Sequence, residues 1–184
     1  MRIFISGGCK NGKSYHALKL TARMGGPLYY IATMVSGDAE DDERIDRHRA
    51  ERAGFMFTTV EQPKHIDRLP DFCDVNGSYL LDSVTALLAN EMFDGGKIYP
   101  DAYKTVERDI LSLIRKIPNI VIVSDYIYSD AAIYDEWTER YRSGLAHIDR
   151  AAAKACDAVF EAAYGELLVH KDEKGCYASY EKII

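Results

Sequence analysis

The sequence lacks a surplus of basic residues and any long apolar run. Its formal net charge is −6, whereas proteins that coat nucleic acid or anionic membranes carry an excess of lysine and arginine. No apolar stretch approaches the roughly 20 residues that cross a bilayer. The chain starts on a strand-like segment without the pattern of a signal peptide. We therefore expect a cytoplasmic protein with no nucleic-acid partner and no membrane span.

Closely spaced cysteine pairs are also missing. The four cysteines stand at positions 9, 73, 156 and 176, so no C-x-x-C spacing occurs and neither a zinc knuckle nor a redox motif is expected. The thiols are predicted to be reduced.

The 184 residues, 47% of them hydrophobic, suit a single nucleotide-binding domain spanning residues 1–184. Short apolar runs alternate with amphipathic stretches, a pattern that predicts an α/β fold with a mostly parallel sheet and helices on both faces. The predicted strands are 2–6, 28–32, 55–60, 78–81, 120–124, 158–162 and 166–170, and the tail from Cys176 could add another. The predicted helices are 13–24, 39–53, 84–93, 102–117 and 134–156.

A glycine-rich segment, GGCKNGKS, follows the first predicted strand and opens the first predicted helix. It fits the phosphate-binding pattern G-x-x-x-x-G-K-[ST], in which backbone amides and the helix N-terminus attract phosphate. Lys13 would reach the β- and γ-phosphates, and the Ser14 hydroxyl would coordinate Mg²⁺. The predicted nucleotide-binding residues of this segment are Gly7, Gly8, Cys9, Lys10, Asn11, Gly12, Lys13 and Ser14.

A magnesium site in such proteins also needs a carboxylate at the end of a neighbouring strand. Asp82 follows SYLL and Asp125 follows IVIVS. Both would emerge at the carboxyl edge of a parallel sheet, beside the glycine-rich segment. We favour Asp82 as the metal ligand and keep Asp125 as the alternative.

The charged helix carries Arg44, His48 and Arg52 at spacings i, i+4 and i+8, so the three share one face. The arginines would favour the neutral, nucleophilic imidazole and could bind phosphate oxygens. The acidic residues around them act in the opposite direction, and a solvated histidine is the simpler alternative. The remaining histidines are predicted to be structural or superficial: His16, His65, His147 and His170.

Several segments in order match one family. After GGCKNGKS come YIAT at 30–33, DAEDDERIDRHRAER at 38–52, TVEQP at 59–63 and LLDSVT at 80–85. With these segments the chain resembles the bifunctional adenosylcobinamide kinase and adenosylcobinamide-phosphate guanylyltransferase of cobalamin biosynthesis. The resemblance implies a RecA-like P-loop NTPase fold and a homo-oligomer, commonly a trimer.

The resemblance also implies a two-step activity. These enzymes phosphorylate the aminopropanol hydroxyl of adenosylcobinamide with ATP or GTP, and then transfer GMP from GTP to that phosphate through a covalent intermediate on a histidine. The matching histidine here is His48, with Lys13 as the second catalytic residue. Mg²⁺ would be held by Ser14 and Asp82. Besides the glycine-rich segment, the implied nucleotide-binding residues are Thr33, Arg44, Arg52 and Asp82.

The chain departs from the family after the strand at 120–124. Where the family has Asn-Glu-Val-Gly and then Gly-Ile-Val-Pro, this chain has DYIYSDAAIY at 125–134, with Tyr126 in place of the glutamate. In the next helix the arginine is kept at Arg142, while Ala146 and Asp149 replace a glycine and an asparagine. Two alternatives therefore stay open: a divergent P-loop kinase or nucleotidyltransferase for another small molecule, and a non-catalytic nucleotide-binding regulator.

Overall fold

Within residues 1–37 and 39–181, which the computed structural model describes, the chain forms a seven-stranded sheet and a small hairpin. Side chains 40, 41, 44, 179 and 181 are not described. The strands are β1 (Arg2–Gly7), β2 (Leu28–Ala32), β3 (Phe57–Glu61), β4 (Ser78–Asp82), β5 (Phe93–Asp94), β6 (Lys97–Ile98), β7 (Asn119–Asp125), β8 (Ala158–Ala163) and β9 (Glu166–Asp172). The sheet order is β3-β2-β4-β7-β1-β8-β9, parallel except for β9 against β8.

The five predicted helices are confirmed. The helices are α1 (Lys13–Met24), α2 (Ala39–Arg52), α3 (Val84–Met92), α4 (Ala102–Lys116), α5 (Glu136–Ala155) and α6 (Cys176–Glu181), with a 3-10 helix at Ile66–Asp71. Helix α6 stands where the sequence analysis considered a further strand in the tail, and this corrects that expectation. The Asp172 side chain accepts hydrogen bonds from the backbone N–H groups of Cys176 (2.7 Å) and Tyr177 (2.9 Å), and this cap starts a helix instead.

The strands bury apolar side chains on both faces of the sheet, because successive residues of a strand point to opposite sides. Phe4, Leu81 and Ile122 belong to the core under α3, α4 and α5. Their neighbours Leu80 and Val123 belong to the second core, which packs against α1 and α6. Burial on both sides explains why the strands appear in the sequence as continuous apolar runs.

The sheet order confirms the RecA-like P-loop fold. Strand β1 leads into the glycine-rich loop, and β4 ends on Asp82. Strand β7 lies between them and ends on Asp125. The carboxyl ends of these three strands therefore meet at one edge of the sheet, where ligands bind in open α/β folds. None of the helices in the described residues has the length and apolar character needed to cross a membrane.

A buried histidine fastens the start of α1 to the C-terminal part of the chain. His16 Nδ1 lies 2.7 Å from the Tyr180 hydroxyl, and His16 Nε2 lies 2.8 Å from the Gly165 carbonyl oxygen. Since a carbonyl can only accept, Nε2 carries the proton, and in the neutral ring Nδ1 accepts from Tyr180. The structural role predicted for His16 is confirmed, and α6 supports the helix that follows the glycine-rich loop.

Replacing Tyr180 with phenylalanine tests this support. The Tyr180→Phe change leaves His16 Nδ1 buried without its donor, and we expect a loss of about 1–2 kcal/mol in the free energy of unfolding. Urea denaturation measures it. The matched control is Tyr164→Phe, because Tyr164 is 100% exposed, and this change should stay within about 0.5 kcal/mol. Equal losses in the two variants would contradict the role given to Tyr180.

Candidate active site

The glycine-rich loop turns sharply between β1 and α1. Gly12 has φ 86° and Lys10 has φ 60°, the left-handed region that glycine adopts most easily. A Cβ at Gly7 would collide with the Ala162 carbonyl oxygen on β8, so this glycine allows the loop to leave the sheet. Gly7 and Gly8 form the base of the turn, and Cys9 to Ser14 face a cleft.

The cleft has a volume of about 970 Å³, within the range of sites that hold nucleotide-sized ligands. The loop forms one wall, α2 another, and the ends of β4 and β7 the floor. Among the predicted residues, the lining includes Lys13, Ser14, His48, Arg52 and Asp82. The fold thus brings together residues as distant in the chain as Lys13 and Asp82.

Lys13 is a buried cation, only 6% exposed. Its ammonium lies 2.6 Å from the Gly8 carbonyl oxygen and 2.9 Å from Asp125 Oδ1. A buried charge needs such partners. The backbone N–H of Asp125 donates to Thr85 Oγ1 at 2.9 Å, which fixes the aspartate at the end of β7.

Asp82 lies beside Ser14. Its Oδ2 accepts hydrogen bonds from the Ser14 hydroxyl (3.2 Å) and the Tyr30 hydroxyl (2.9 Å). Burial, reinforced by the Asp82 carboxylate, raises the pKa of Tyr30, so its hydroxyl stays protonated and keeps donating. The two acidic residues therefore have different partners, since Asp82 contacts Ser14 and Asp125 contacts Lys13.

Ser14 and Asp82 fit a magnesium ion by their chemistry. Both present oxygen atoms, the donors that Mg²⁺ prefers, and Mg²⁺ commonly takes only one or two protein ligands together with water and substrate phosphates. The part of the chain that the structure describes holds no group of three or more His, Cys, Asp or Glu suited to a metal. Mg²⁺ at Ser14 and Asp82 stays a prediction.

His48 projects from α2 towards the same carboxylate. Its Nδ1 lies 4.0 Å from Asp82 Oδ2 and 3.3 Å from Glu51 Oε2. Glu51 Oε2 is close enough to accept a hydrogen bond from Nδ1–H, whereas Asp82 lies beyond hydrogen-bond distance. In the neutral ring with Nδ1 protonated, Nε2 keeps its lone pair. The candidate nucleophile, the candidate metal ligands and the phosphate-binding loop thus occupy one cleft.

A model of the cobinamide kinase / cobinamide phosphate guanyltransferase family, CobU, matches residues 3–169. The chain belongs to this family. It is similar to the bifunctional adenosylcobalamin biosynthesis protein CobP of Pseudomonas aeruginosa, with 29% identity over 86% of this chain and 91% of that protein. The bifunctional protein CobU of Escherichia coli is 37% identical over 64% of this chain and 66% of that protein. CobU of Salmonella typhimurium is 27% identical over 87% and 94%.

The other predicted site residues have separate positions in this CobU-family chain. Arg52 lines the cleft, but its Nε donates to Thr59 Oγ1 at 3.2 Å and its guanidinium lies 4.3 Å from the Tyr30 ring centre. It therefore also braces the tyrosine that holds Asp82. The side chain of Arg44 lies outside the described part of the structure.

Thr33 requires a correction. Its side chain is fully buried, accepts a hydrogen bond from the Ser83 N–H (2.7 Å) and donates one to the Ser83 carbonyl oxygen (2.8 Å). Both bonds hold the backbone directly after Asp82. Thr33 thus supports the backbone next to Asp82 and does not line the cleft, because strand β2 lies next to β4 and its hydroxyl is turned inwards.

Sequence reasoning missed several groups in the cleft. Arg47 and Arg49 line it, although only the face of Arg44, His48 and Arg52 was predicted to matter. The sequence places Tyr30 in a strand and in the YIAT segment but predicts no contact to Asp82, since that contact depends on the pairing of β2 with β4. The i, i+3 spacing of His48 and Glu51 is a signal that could have identified Glu51 as a partner of the histidine.

A buried carboxyl group supports the end of β7. Asp149 Oδ2 accepts hydrogen bonds from Ser124 Oγ (2.9 Å) and the Tyr128 hydroxyl (3.1 Å). Its Oδ1 finds no hydrogen-bond partner among the described residues. Burial raises the pKa of Asp149 to about 7. The group is therefore largely protonated in mildly acidic solution, and it contacts Ser124, the residue before Asp125.

The elevated pKa makes stability depend on pH. Folded Asp149 binds its proton up to about pH 7, whereas the unfolded residue loses it near 3.8, so folding weakens as pH rises through this window. Asp149→Asn removes this titration and keeps an acceptor for Ser124 and Tyr128. The stability of the variant relative to the wild type should therefore rise with pH, by up to about 1.4 kcal/mol per unit, and level off above about pH 7.

Urea denaturation between about pH 5 and 8 measures the effect. The control is Asp46→Asn, since the Asp46 side chain is 76% exposed and its removal should shift the whole curve without a trend. Parallel curves for Asp149→Asn and the wild type would contradict the elevated pKa.

Proposed function

We propose that this protein phosphorylates adenosylcobinamide and then transfers GMP from GTP to the product through a guanylylated His48. One observation carries the proposal: His48 Nδ1 lies 4.0 Å from the Asp82 oxygen that accepts the Ser14 hydroxyl at 3.2 Å. An imidazole this close to the candidate metal ligands lies in the same cleft as the loop, where its Nε2 could reach a phosphate of a bound nucleotide. Membership in the family supports the same pair of reactions.

In the proposed binding mode, the triphosphate contacts the loop amides, the N-terminus of α1 and the Lys13 ammonium. Ser14 and Asp82 would hold Mg²⁺, which when bound offsets the phosphate charge and polarises the reacting oxygens. Arg47 and Arg49 line the same cleft and supply further positive charge for a polyanionic substrate. These contacts stabilise the charge that develops on the transferred group and on the leaving phosphates.

The guanylyl transfer divides into two displacements. With Nδ1 facing Glu51 and Asp82, the lone pair of His48 Nε2 attacks the α-phosphorus of GTP, the bond to the β-phosphate oxygen breaks, and pyrophosphate leaves. The ring then carries a positive charge, which the two carboxylates stabilise. An oxygen of adenosylcobinamide phosphate next attacks the same phosphorus, the N–P bond breaks, and His48 regains its lone pair.

The kinase step needs no covalent intermediate. The acceptor hydroxyl attacks the γ-phosphorus, the bond to the β-phosphate oxygen breaks, and the nucleoside diphosphate leaves while the hydroxyl proton passes to a cleft carboxylate or to water. Lys13 takes part in both steps, whereas His48 takes part in only one. The two activities are therefore separable by mutation.

A second candidate is the same chemistry on a different small-molecule acceptor. The segment after Asp125 favours it, because this segment adjoins the cleft and exposes 43% of Tyr126. The buried Arg142 holds it in place through the Ile127 carbonyl oxygen (3.0 Å), Asp130 Oδ1 (2.9 Å) and Glu139 Oε2 (2.7 Å). A fixed aromatic segment at the acceptor side of the cleft could select another substrate.

Labelling with GTP radioactive at the α-phosphate tests the proposal. We expect the wild type with Mg²⁺ to acquire acid-labile label at His48, and His48→Ala to acquire none, because the attacking nitrogen is gone. His48→Ala should retain phosphorylation of adenosylcobinamide by ATP. His170→Ala is the control, since His170 is exposed and pairs with Glu161 at 2.8 Å, and it should label like the wild type.

The outcomes separate the hypotheses. A folded wild type that binds GTP but takes up no label would remove the guanylyl-transfer half, and label that persists in His48→Ala would place the nucleophile elsewhere. Label at His48 without turnover of adenosylcobinamide would favour the second candidate. Nucleotide binding that Lys13→Ala abolishes, with no adduct and no turnover, would indicate a non-catalytic regulator.

A further inference from the structure

The ammonium of Lys13 is shared between the loop and a carboxylate. It lies 2.6 Å from the Gly8 carbonyl oxygen and 2.9 Å from Asp125 Oδ1. An ammonium has three N–H donors, and these two contacts use two of them. Only one donor of the lysine remains for a phosphate oxygen while both contacts persist.

The backbone of Asp125 is held next to the glycine-rich loop. Its backbone N–H donates to Thr85 Oγ1 (2.9 Å), and the next N–H, that of Tyr126, donates to the Gly7 carbonyl oxygen (2.9 Å). Within the sheet, Asp125 is paired with Gly7, the last residue of β1. These contacts anchor the backbone of Asp125 beside the loop, and its side chain, which is 22% exposed, lines the cleft.

A nucleotide bound by the loop would therefore lie next to the negative charge of the Asp125 carboxylate. Either its phosphates displace Asp125 from Lys13, or they take the third donor and lie against the carboxylate. Both arrangements cost free energy, because like charges repel strongly where water is partly excluded. A divalent cation bound to the phosphates lowers their charge and with it the repulsion.

The other carboxylate does not share this role. Asp82 already contacts the Ser14 and Tyr30 hydroxyls, which are neutral donors suited to orienting a metal ligand. Asp125 instead contacts the ammonium of Lys13, the group proposed to bind phosphate. The two acids would therefore change nucleotide affinity in opposite ways when neutralised.

We infer that Asp125 makes nucleotide binding selective for the magnesium complex, because its carboxylate competes with the phosphates for Lys13 and disfavours the free triphosphate. Asp125 is in this role a positioning and specificity residue that acts through Lys13. The inference rests on the proposed binding of nucleotide by the loop. It assigns to Asp125 an effect of opposite sign to that of a magnesium ligand.

Dissociation constants for GTP, measured by calorimetry with EDTA and with excess Mg²⁺, test the inference. In Asp125→Asn the shape and the backbone hydrogen bonds are kept, and the negative charge is removed. We expect its affinity in EDTA to rise at least about tenfold, and the gain in affinity from Mg²⁺ to shrink by a similar factor. Asp125→Glu retains the charge and should keep a large gain from Mg²⁺, while Asp125→Ser provides a second uncharged variant.

Two comparison variants exclude general charge effects. Asp94→Asn breaks another lysine–aspartate pair, Lys64 to Asp94 at 2.6 Å, away from the cleft, and should leave the ratio of the two affinities unchanged. Asp82→Asn should reduce the gain from Mg²⁺ by weakening binding of the magnesium complex, without improving binding in EDTA. Thermal unfolding confirms that each variant is folded.

Unchanged or weaker binding of GTP by Asp125→Asn in EDTA would overturn the inference, as would an unchanged gain from Mg²⁺. If the wild type binds GTP and labels His48 while Asp125→Asn behaves like the wild type, the inference alone fails. If the wild type binds no nucleotide under either condition, the proposed function fails with it.

Discussion

The parallel pairing of β7 with β1 on one side and β4 on the other decides where each charged group of the cleft lies. The register pairs Asp125 with Gly7 and brings Asp82 to the end of the adjoining strand. Because these strands are buried on both faces, a shift by one residue would turn a row of apolar side chains to the wrong face. The core therefore fixes the electrostatics of the site, and the carboxylates are held by packing that lies far from them.

The candidate nucleophile has a different kind of support. Among the described side chains of α2, Arg52 alone is buried, so the helix covers the cleft with few core contacts. Arg52 connects it to Tyr30 and Thr59, and His48 adds its contacts to Asp82 and Glu51. The two carboxylates, Asp82 and Asp125, thus belong to strands of the sheet, and the histidine belongs to a helix attached mainly by polar contacts. In the proposed guanylyl transfer, such an attachment would suit a group that approaches one substrate and later releases another.

The segment after β7 differs in sequence from the family pattern, yet its backbone is held by several contacts. Arg142 is only 6% exposed. It donates hydrogen bonds to Ile127 and Asp130 in this segment and to Glu139 on its own helix. Beneath it, the buried Asp149 accepts hydrogen bonds from Ser124 and Tyr128. The family pattern has glycines at this place, which would make the backbone flexible. In this chain the contacts of Arg142 and Asp149 hold the backbone next to Asp125 in place. The segment after Asp125 is therefore held by defined contacts in this chain, although its residues differ from the family pattern.

The sequence by itself determined the elements and the chemistry of the loop, because both are local. Apolar runs and helix periods located most strands and the five long helices, GGCKNGKS carried the phosphate-binding pattern, and the strand ends identified Asp82 and Asp125. Only the tertiary structure decided which acid contacts Ser14 and which contacts Lys13, that Tyr30 reaches Asp82, and that Thr33 is turned inwards. It also made the tail a helix, through the Asp172 cap and the burial of Tyr180. These contacts join residues distant in the chain, and their geometry follows from strand register and packing, which no local pattern of residues encodes.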